Sequence, residues 1–119
     1  MIYKLILLLA GHALCDYPLQ GDFLATGKNR FRPINGVPWY QCMAAHCLIH
    51  AGMVFLITKS PVFAGLEFVI HFLTDYAKCA GWFGGNTFVD GVIASKIHPK
   101  SFNIDQAIHY ACKLLWAVL

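Results

Sequence analysis

Length, composition and charge limit the class of protein. The chain has 119 residues, of which 58% are hydrophobic and 13% are charged, and its mean hydropathy is +0.56. Soluble domains of this size are less apolar, so the composition favours one integral membrane domain over residues 1–119, with membrane lipids as partners. The formal net charge of +3 comes without a basic stripe that contains aromatic residues, so nucleic acid is not an expected partner.

Four apolar segments follow one another along the chain, at residues 2–19, 40–57, 62–80 and 104–119. A membrane-spanning helix needs about 17 to 25 residues, so three segments fit and the last is short. The first begins like a signal sequence, but polar His12 and Asp16 follow where a cleavage site would lie, and we interpret it as a retained span. The pattern predicts an all-α fold, a four-helix transmembrane bundle.

A shift of 59 residues relates the two halves of the chain. Without a gap, it aligns the polar residues of the first and second segments with those of the third and fourth. The aligned residues are His12 with His71, Asp16 with Asp75, His46 with Asp105, and His50 with His109. The chain is therefore interpreted as two pseudo-repeated helical hairpins of like orientation, about residues 1–59 and 60–119.

Each apolar segment carries one pair of ionisable residues four positions apart, which a helix places on one face. The pairs are His12 and Asp16, His46 and His50, His71 and Asp75, and Asp105 and His109. They lie late in the first and third segments and early in the second and fourth. An up-down-up-down bundle would therefore bring all eight side chains to one level.

Eight ionisable side chains at one level of a bilayer indicate a functional site, because such groups are costly there and usually paired. We predict that all eight bind one or two divalent metal ions, and the charges of Asp16, Asp75 and Asp105 favour two. Nitrogen and oxygen ligands without paired thiolates favour zinc, with manganese or iron as alternatives. The five cysteines form no CxxC pair, so no disulfide framework is expected.

Further polar residues continue the same helix faces or lie beside the predicted site. Gln20, Glu67 and Gln106 are predicted to orient ligands or hold a substrate, and the three Asp residues are also candidate catalytic groups. Basic residues near the predicted mouth could hold an anionic head group; they are Lys28, Arg30, Arg32 and Lys78. Since the long loops carry more Lys and Arg than the short turn and the termini, they are predicted to be cytoplasmic.

These motifs together resemble the family called domain of unknown function 3307. The matching stretches are HALCDYPLQ, HCLIH, HFLTDYAK and DQAIH. The family consists of short bacterial and phage-borne membrane proteins, and the resemblance implies a bacterial inner membrane location. Because the paired residues lie near the long loops, which are predicted to be cytoplasmic, the site is expected in the cytoplasmic half. It implies ligand roles for the eight paired residues but no established activity. A more distant resemblance is to membrane-bound metal-dependent hydrolases.

Several functions fit these residues. The first is a metal-dependent hydrolase that acts on a lipid phosphate or another membrane-associated substrate. The alternatives are a non-enzymatic membrane protein that binds or transports a metal or protons, and a phage or host interaction protein with a structural metal site. The sequence leaves open whether the protein is an enzyme and whether it forms a homo-oligomer.

Overall fold

The chain folds into helices around a polar interior. The computed structural model describes residues 1–31, 33–83, 88–89, 92–93 and 99–119. Its helices are α1 (Ile2–Asp16), α2 (Gly21–Gly27), α3 (Trp39–Thr58), α4 (Pro61–Cys79) and α5 (Pro99–Val118). Strands β1 (Phe88–Val89) and β2 (Val92–Ile93) form a two-residue antiparallel ladder. Apart from this ladder, the described residues confirm the all-α prediction.

The turn between α3 and α4 is short and has clear stop and start signals. Lys59 ends α3 in the left-handed conformation, with φ of 57°. Ser60 then caps α4, because its side chain accepts a hydrogen bond from the backbone N–H of Phe63, and Pro61 occupies the first turn. A serine cap followed by proline is a favourable start for a helix. The result is a tight helical hairpin.

The four long helices pack in a ring. Helix α3 contacts α1 and α4, while α5 contacts the same two helices from the other side. The short α2 packs on α3. Each long helix therefore turns one face toward a common interior, which is where the polar residues lie.

The helix boundaries can be compared with the offset of 59 residues. Shifted by this offset, the start of α1 falls on Pro61, where α4 begins, and the start of α3 falls one residue before Pro99, where α5 begins. The end of α3 likewise falls one residue before the end of α5. The offset thus relates helices as well as polar residues.

The structure corrects several details of the sequence prediction. Within the described residues, α3 is the one helix long and apolar enough to span a membrane; α1 and α2 qualify only together, with a bend of 83° between them. Helix α1 ends at Asp16, before residue 19, and the charged residues of α4 and α5 lower their hydropathy. The loop at residues 21–39 contains α2, and α5 begins at Pro99 rather than at 104. The helical part of the predicted bundle is therefore confirmed, while four spans are not.

Polar and apolar residues are distributed in reverse of the usual pattern. Among the described residues, twelve polar or charged side chains and eleven hydrophobic ones are buried. Large apolar residues are exposed on the outer faces of the long helices; Leu48, Leu56 and Leu73 are about 60% exposed. Charged residues are rarely buried in soluble proteins unless they are paired. The interior therefore depends on polar contacts, and its apolar part is the small cluster of Leu8, Val54, Trp116 and Ala117.

Close packing of α1 on α3 gives a first prediction. A Cβ atom at Gly11 would lie 2.6 Å from Met53 Cγ and 3.3 Å from Ile57 Cδ1, whereas one at Gly52 would meet nothing within 4 Å. We expect Gly11→Ala to lower the free energy of unfolding by about 1 to 3 kcal/mol, because Met53 Cγ lies near the backbone and cannot easily move away. Denaturant unfolding in detergent would measure this change.

Gly52→Ala is the matched control, because it has the same gain in helix propensity without the contact. We expect it to raise the free energy of unfolding by up to about 1 kcal/mol. Equal effects of the two substitutions would contradict the close approach of α1 and α3.

Candidate metal centre

One group of side chains converges inside the ring of helices. It consists of Asp16 from α1, His46 and His50 from α3, and His71 from α4, and we call it the first donor group. One donor atom from each of the four lies within 4.8 Å of the donor atoms of the other three. The three histidines are buried, and the Asp16 side chain is 14% exposed. The group is therefore an enclosed set of nitrogen and oxygen donors with one edge near the surface.

The distances within the first donor group fit a single tetrahedral ion. His50 Nε2 lies 3.1 Å from Asp16 Oδ1, His46 Nε2 lies 3.8 Å from the same oxygen, and His46 Nε2 lies 3.0 Å from His71 Nε2. Zinc binds such donors at about 2.0 to 2.1 Å, which gives about 3.3 Å between two ligands of a tetrahedron. These three distances lie on both sides of this value, and the other three are within 4.8 Å, so the four donors could hold one ion.

Hydrogen bonding points to the same place. His50 Nε2 is buried and has no hydrogen-bond partner among the described residues, although Asp16 Oδ1 is 3.1 Å away. The nitrogen is therefore near the carboxylate without being aligned for a hydrogen bond to it. A buried polar atom without a partner is unfavourable, and an ion shared by His50 and Asp16 would satisfy it. The donor set thus fits a divalent transition metal.

The other oxygen of Asp16 is held by neighbouring side chains. Asp16 Oδ2 lies 3.1 Å from His12 Nε2 and accepts a hydrogen bond of 3.0 Å from Gln106 Nε2. His12 is not part of the first donor group, and its Nε2 also lies 3.3 Å from Gln106 Oε1. The structure therefore places His12, a predicted ligand, and Gln106 where both contact the Asp16 oxygen that faces away from the other donors of the first donor group.

His71 is oriented in a similar way by Glu67. His71 Nδ1 lies 3.4 Å from Glu67 Oε1, and the same oxygen accepts a hydrogen bond from Lys113 Nζ. The other oxygen of Glu67 accepts a hydrogen bond of 2.8 Å from Trp116 Nε1. A carboxylate on one imidazole nitrogen leaves the other nitrogen available to a metal and raises its basicity. Glu67 thus leaves His71 Nε2 directed at the first donor group.

A second set of possible ligands is already paired with lysines. We call Asp75, Asp105 and His109 the lysine-paired group; donor atoms of the three lie within 4.8 Å of one another. Asp75 Oδ2 accepts a hydrogen bond of 2.6 Å from Lys28 Nζ, and Asp105 Oδ2 accepts one of 2.9 Å from Lys78 Nζ. Each cation supplies the positive charge that a metal ion would bring. The lysine-paired group therefore has less negative charge left for a metal ion to neutralise than the first donor group has.

Counting charges in the interior changes the expected number of ions. Four carboxylates lie there (Asp16, Glu67, Asp75 and Asp105), and three lysines contact them (Lys28, Lys78 and Lys113). With neutral histidines, this leaves one negative charge in excess. One divalent ion would bring the sum within one unit of neutrality, whereas two would leave three positive charges, which is costly away from water. The charge argument from the sequence favoured two ions because it left the lysines out.

The remaining predicted residues lie around this interior. Gln20 Oε1 accepts a hydrogen bond of 2.7 Å from Lys28 Nζ, so Gln20 supports the lysine rather than a ligand directly. Lys28 and Lys78, both predicted to hold a substrate, are paired with Asp75 and Asp105; Lys28 is buried, whereas the Lys78 side chain remains 27% exposed. Arg30 is exposed and donates a hydrogen bond of 3.0 Å to the Tyr76 hydroxyl. Arg32 lies outside the described residues.

The sequence prediction missed Lys113 and Trp116 as partners of Glu67. A signal was present, because Asp105, His109 and Lys113 follow one another at intervals of four and continue one face of α5. The shift of 59 residues also places Leu8 and Val54 of the first hairpin at the positions of Glu67 and Lys113. An apolar pair in one hairpin thus corresponds to an ion pair in the other.

This correspondence gives a second prediction. We expect Glu67→Leu or Lys113→Val alone to lower the free energy of unfolding by about 3 to 5 kcal/mol, because each leaves a buried charge without its partner. The double variant carries the residue types of Leu8 and Val54. It should lose only about 1 to 3 kcal/mol, mainly because the Trp116 N–H loses its acceptor. Denaturant unfolding of the four proteins in detergent gives the coupling, and additive losses would contradict the ion pair.

Comparison with known proteins identifies the family only. The match to the family model described as "Protein of unknown function (DUF3307)" covers residues 4–118, nearly the whole chain. No curated protein and no solved structure matches the chain. The resemblance found from the four motifs is therefore confirmed: the chain belongs to the family of proteins of unknown function DUF3307.

Proposed function

We propose that the protein is a membrane-embedded, metal-dependent hydrolase that binds one zinc ion at the first donor group. The observation that carries the proposal is the convergence of Asp16, His46, His50 and His71, in which the buried His50 Nε2 has no hydrogen-bond partner among the described residues. When bound, such an ion supplies a Lewis acid that activates water and polarises a phosphoryl or carbonyl oxygen. Manganese and iron are the next candidates for this nitrogen and oxygen donor set.

A membrane location is supported by the distribution of residues. Polar side chains fill the interior, and large apolar residues cover the outer faces of α3, α4 and α5. Water would be an unfavourable solvent for that surface, whereas lipid would leave it satisfied. Helix α3 has the length and hydropathy of a span. We therefore propose that the four long helices lie in the bilayer, with the two long loops on the cytoplasmic side.

Candidate catalytic groups lie beside the first donor group. Asp105 Oδ1 is buried, lies 3.2 Å from His109 Nε2 and has no hydrogen-bond partner among the described residues. It is the carboxylate oxygen best able to accept a proton from water or a substrate hydroxyl. Both oxygens of Asp75 have hydrogen-bond partners, Lys28 and His109, and Asp16 would be a metal ligand. We therefore assign the proton-accepting role to Asp105.

The substrate class follows from the cation at the exposed edge. The Lys78 side chain is 27% exposed, and its Nζ shares Asp105 Oδ2 with Gln106 Nε2, which also contacts Asp16. A partly exposed cation that is linked to Asp16 through Asp105 and Gln106 favours an anionic group. We propose a phosphate-bearing lipid head group as the substrate.

A structural metal is the second candidate. Four protein ligands would fill a tetrahedral shell, which is typical of structural zinc, whereas catalytic zinc keeps one position open. Whether the ion would keep an open position depends on Asp16. This ligand lies at the exposed edge, and its Oδ2 is already contacted by His12 and Gln106. A transport pathway has less support. The polar side chains of the interior end at Glu67 and Lys113, beside the apolar cluster of Leu8, Val54, Trp116 and Ala117.

Metal content tests the central part of the proposal. We expect the purified protein in detergent to contain about one equivalent of zinc, and His50→Ala to lose it, because His50 supplies one of four ligands. His109→Ala is the matched control: this histidine is equally buried but belongs to the lysine-paired group, so the variant should keep its zinc. Elemental mass spectrometry gives identity and stoichiometry. Absence of metal from the parent protein would contradict the proposal, and two equivalents would contradict the single ion.

Hydrolysis separates the catalytic from the structural metal. We expect phosphate release from phosphatidic acid in mixed micelles, and we expect Asp105→Asn to slow it by about 10²- to 10⁴-fold through loss of the proton acceptor. The variant should keep its zinc. Asp22→Asn, at an exposed carboxylate of α2, is the control and should leave the rate unchanged.

The structural alternative predicts a different result. Removing zinc with a chelator would then lower the unfolding midpoint strongly, while no phosphate would be released by the parent protein. Folded, zinc-loaded protein without hydrolysis of any phosphate lipid would contradict the proposed enzyme.

A further inference from the structure

An apolar groove lies on the outer surface between α1 and α5. Leu5 and Leu9 line it from α1, and Tyr110 and Leu114 line it from α5. Its volume is about 380 Å³. Tyr110 and Leu114 are about half exposed, so the groove is open toward the surroundings of the protein.

The same two helices form the exposed edge of the metal centre. Gln106 of α5 donates a hydrogen bond to Asp16 of α1, and His12 of α1 lies beside both. The Tyr110 ring is 5.8 Å from the His12 ring, centroid to centroid, with its edge toward the imidazole. Tyr110 therefore joins the groove to the polar edge, and a single molecule could contact both.

The order of residues along the two helices gives the groove a direction. On α5, Tyr110 and Leu114 follow Gln106 at intervals of four, and on α1, Leu9 and Leu5 precede Asp16 and His12. The groove thus extends from the polar edge for about 12 Å of helix length. One leaflet of a bilayer has a hydrocarbon thickness of about 15 Å. This is the depth that a lipid tail occupies when its head group lies at the surface.

The corresponding surface in the other half of the chain carries different side chains. The shift of 59 residues relates Leu9 and Leu114 to phenylalanines, which are Phe68 of α4 and Phe55 of α3. It relates Leu5 and Tyr110 to alanines, which are Ala64 and Ala51. The two hairpins therefore differ on this outer surface, and the groove lies on the side where Asp16 approaches the surface.

We infer that this groove binds one acyl chain of a phosphate-bearing lipid and so places the phosphate at the edge formed by Asp16, Gln106 and Lys78. The inference rests on the proposed hydrolase and adds how the substrate is held. Apolar side chains line the groove for one leaflet's depth, while the cation of Lys78 and the amide of Gln106 lie at its polar end. Tyr110, with an apolar ring and a hydroxyl, suits the boundary between chain and head group.

Photolabelling tests where the chain binds. The probe is phosphatidic acid with a diazirine in its acyl chain, in phosphatidylcholine nanodiscs that contain the protein, and adducts are mapped by mass spectrometry. We expect adducts at residues 5–9 and 110–114. Leu114→Trp should lower their yield about tenfold, because an acyl chain that buries about two fewer methylene groups binds about ten times more weakly. Leu48→Trp, at a 60% exposed leucine of α3, is the matched control and should leave them unchanged. Leu9→Trp repeats the test from α1 if Leu114→Trp does not fold.

The outcomes separate the groove from the enzyme. Adducts spread equally over Leu48, Leu56 and the groove, or unchanged in Leu114→Trp, would overturn the acyl-chain site even if phosphate is released. Adducts confined to the groove in a protein without hydrolysis would support the site and overturn the enzyme. In an active protein, we expect the groove substitutions to raise the KM for long-chain phosphatidic acid and to leave that for dibutyryl phosphatidic acid unchanged; equal changes in both would overturn the inference.

Discussion

Compensation of buried negative charge is the constraint on which this structure depends. Four carboxylates lie in an interior whose surroundings are apolar, and an isolated charge there would be very costly. The three lysines that contact them come from different parts of the chain: Lys28 follows α2, Lys78 lies near the end of α4, and Lys113 lies in α5. Each contact therefore joins two elements of the fold. Asp16 differs from the other acids because its contacts are histidines and Gln106, and this is the place where a metal ion would add most.

The two hairpins contribute differently to this interior. The first supplies Asp16, His46 and His50, which would bind the ion directly. The second supplies His71 together with the Glu67, Lys113 and Trp116 that hold it. The corresponding level of the first hairpin is apolar, with Leu8 and Val54 in the buried cluster. Positions related by the offset of 59 residues thus differ in charge, because Glu67 and Lys113 stand where the first hairpin has Leu8 and Val54, and the centre is asymmetric.

The sequence predicted the parts of this centre that depend on local periodicity. Pairs four residues apart and alternating helix directions place His12, Asp16, His71 and Asp75 at one level, and the structure brings them together. Local periodicity does not predict contacts between different elements. Lys28 and Asp75 are 47 positions apart, and Lys113 and Glu67 are 46 apart. Which side chains meet at such separations depends on how the helices rotate about their axes. That rotation is set by the packing of all four long helices, and the periodicity of a single segment carries no information about it.

The short helix α2 was missed for a related reason. Seven residues that include two glycines have little intrinsic helix stability, so α2 depends on its contact with α3 and on the residues at its end. Gly27 is one such residue, because a Cβ atom there would lie 2.7 Å from Cys42 Sγ. Hydropathy extended the first segment over Tyr17, Pro18 and Leu19, although α1 ends at Asp16, because a proline disfavours helix in the residue before it. It shortened the last segment because α5 begins at Pro99 with polar residues, and proline is favourable in the first turn of a helix.

Lys28 connects a surface helix to the polar interior. It follows a surface helix that exposes Phe23, yet its ammonium group donates a hydrogen bond to Asp75, whose other oxygen lies 3.4 Å from His109. The docking of α2 and the electrostatic state of the interior are therefore thermodynamically linked. If the first donor group binds an ion, a molecule that binds α2 and changes this hydrogen bond would change the ion affinity, and the ion would change the affinity for that molecule by the same factor.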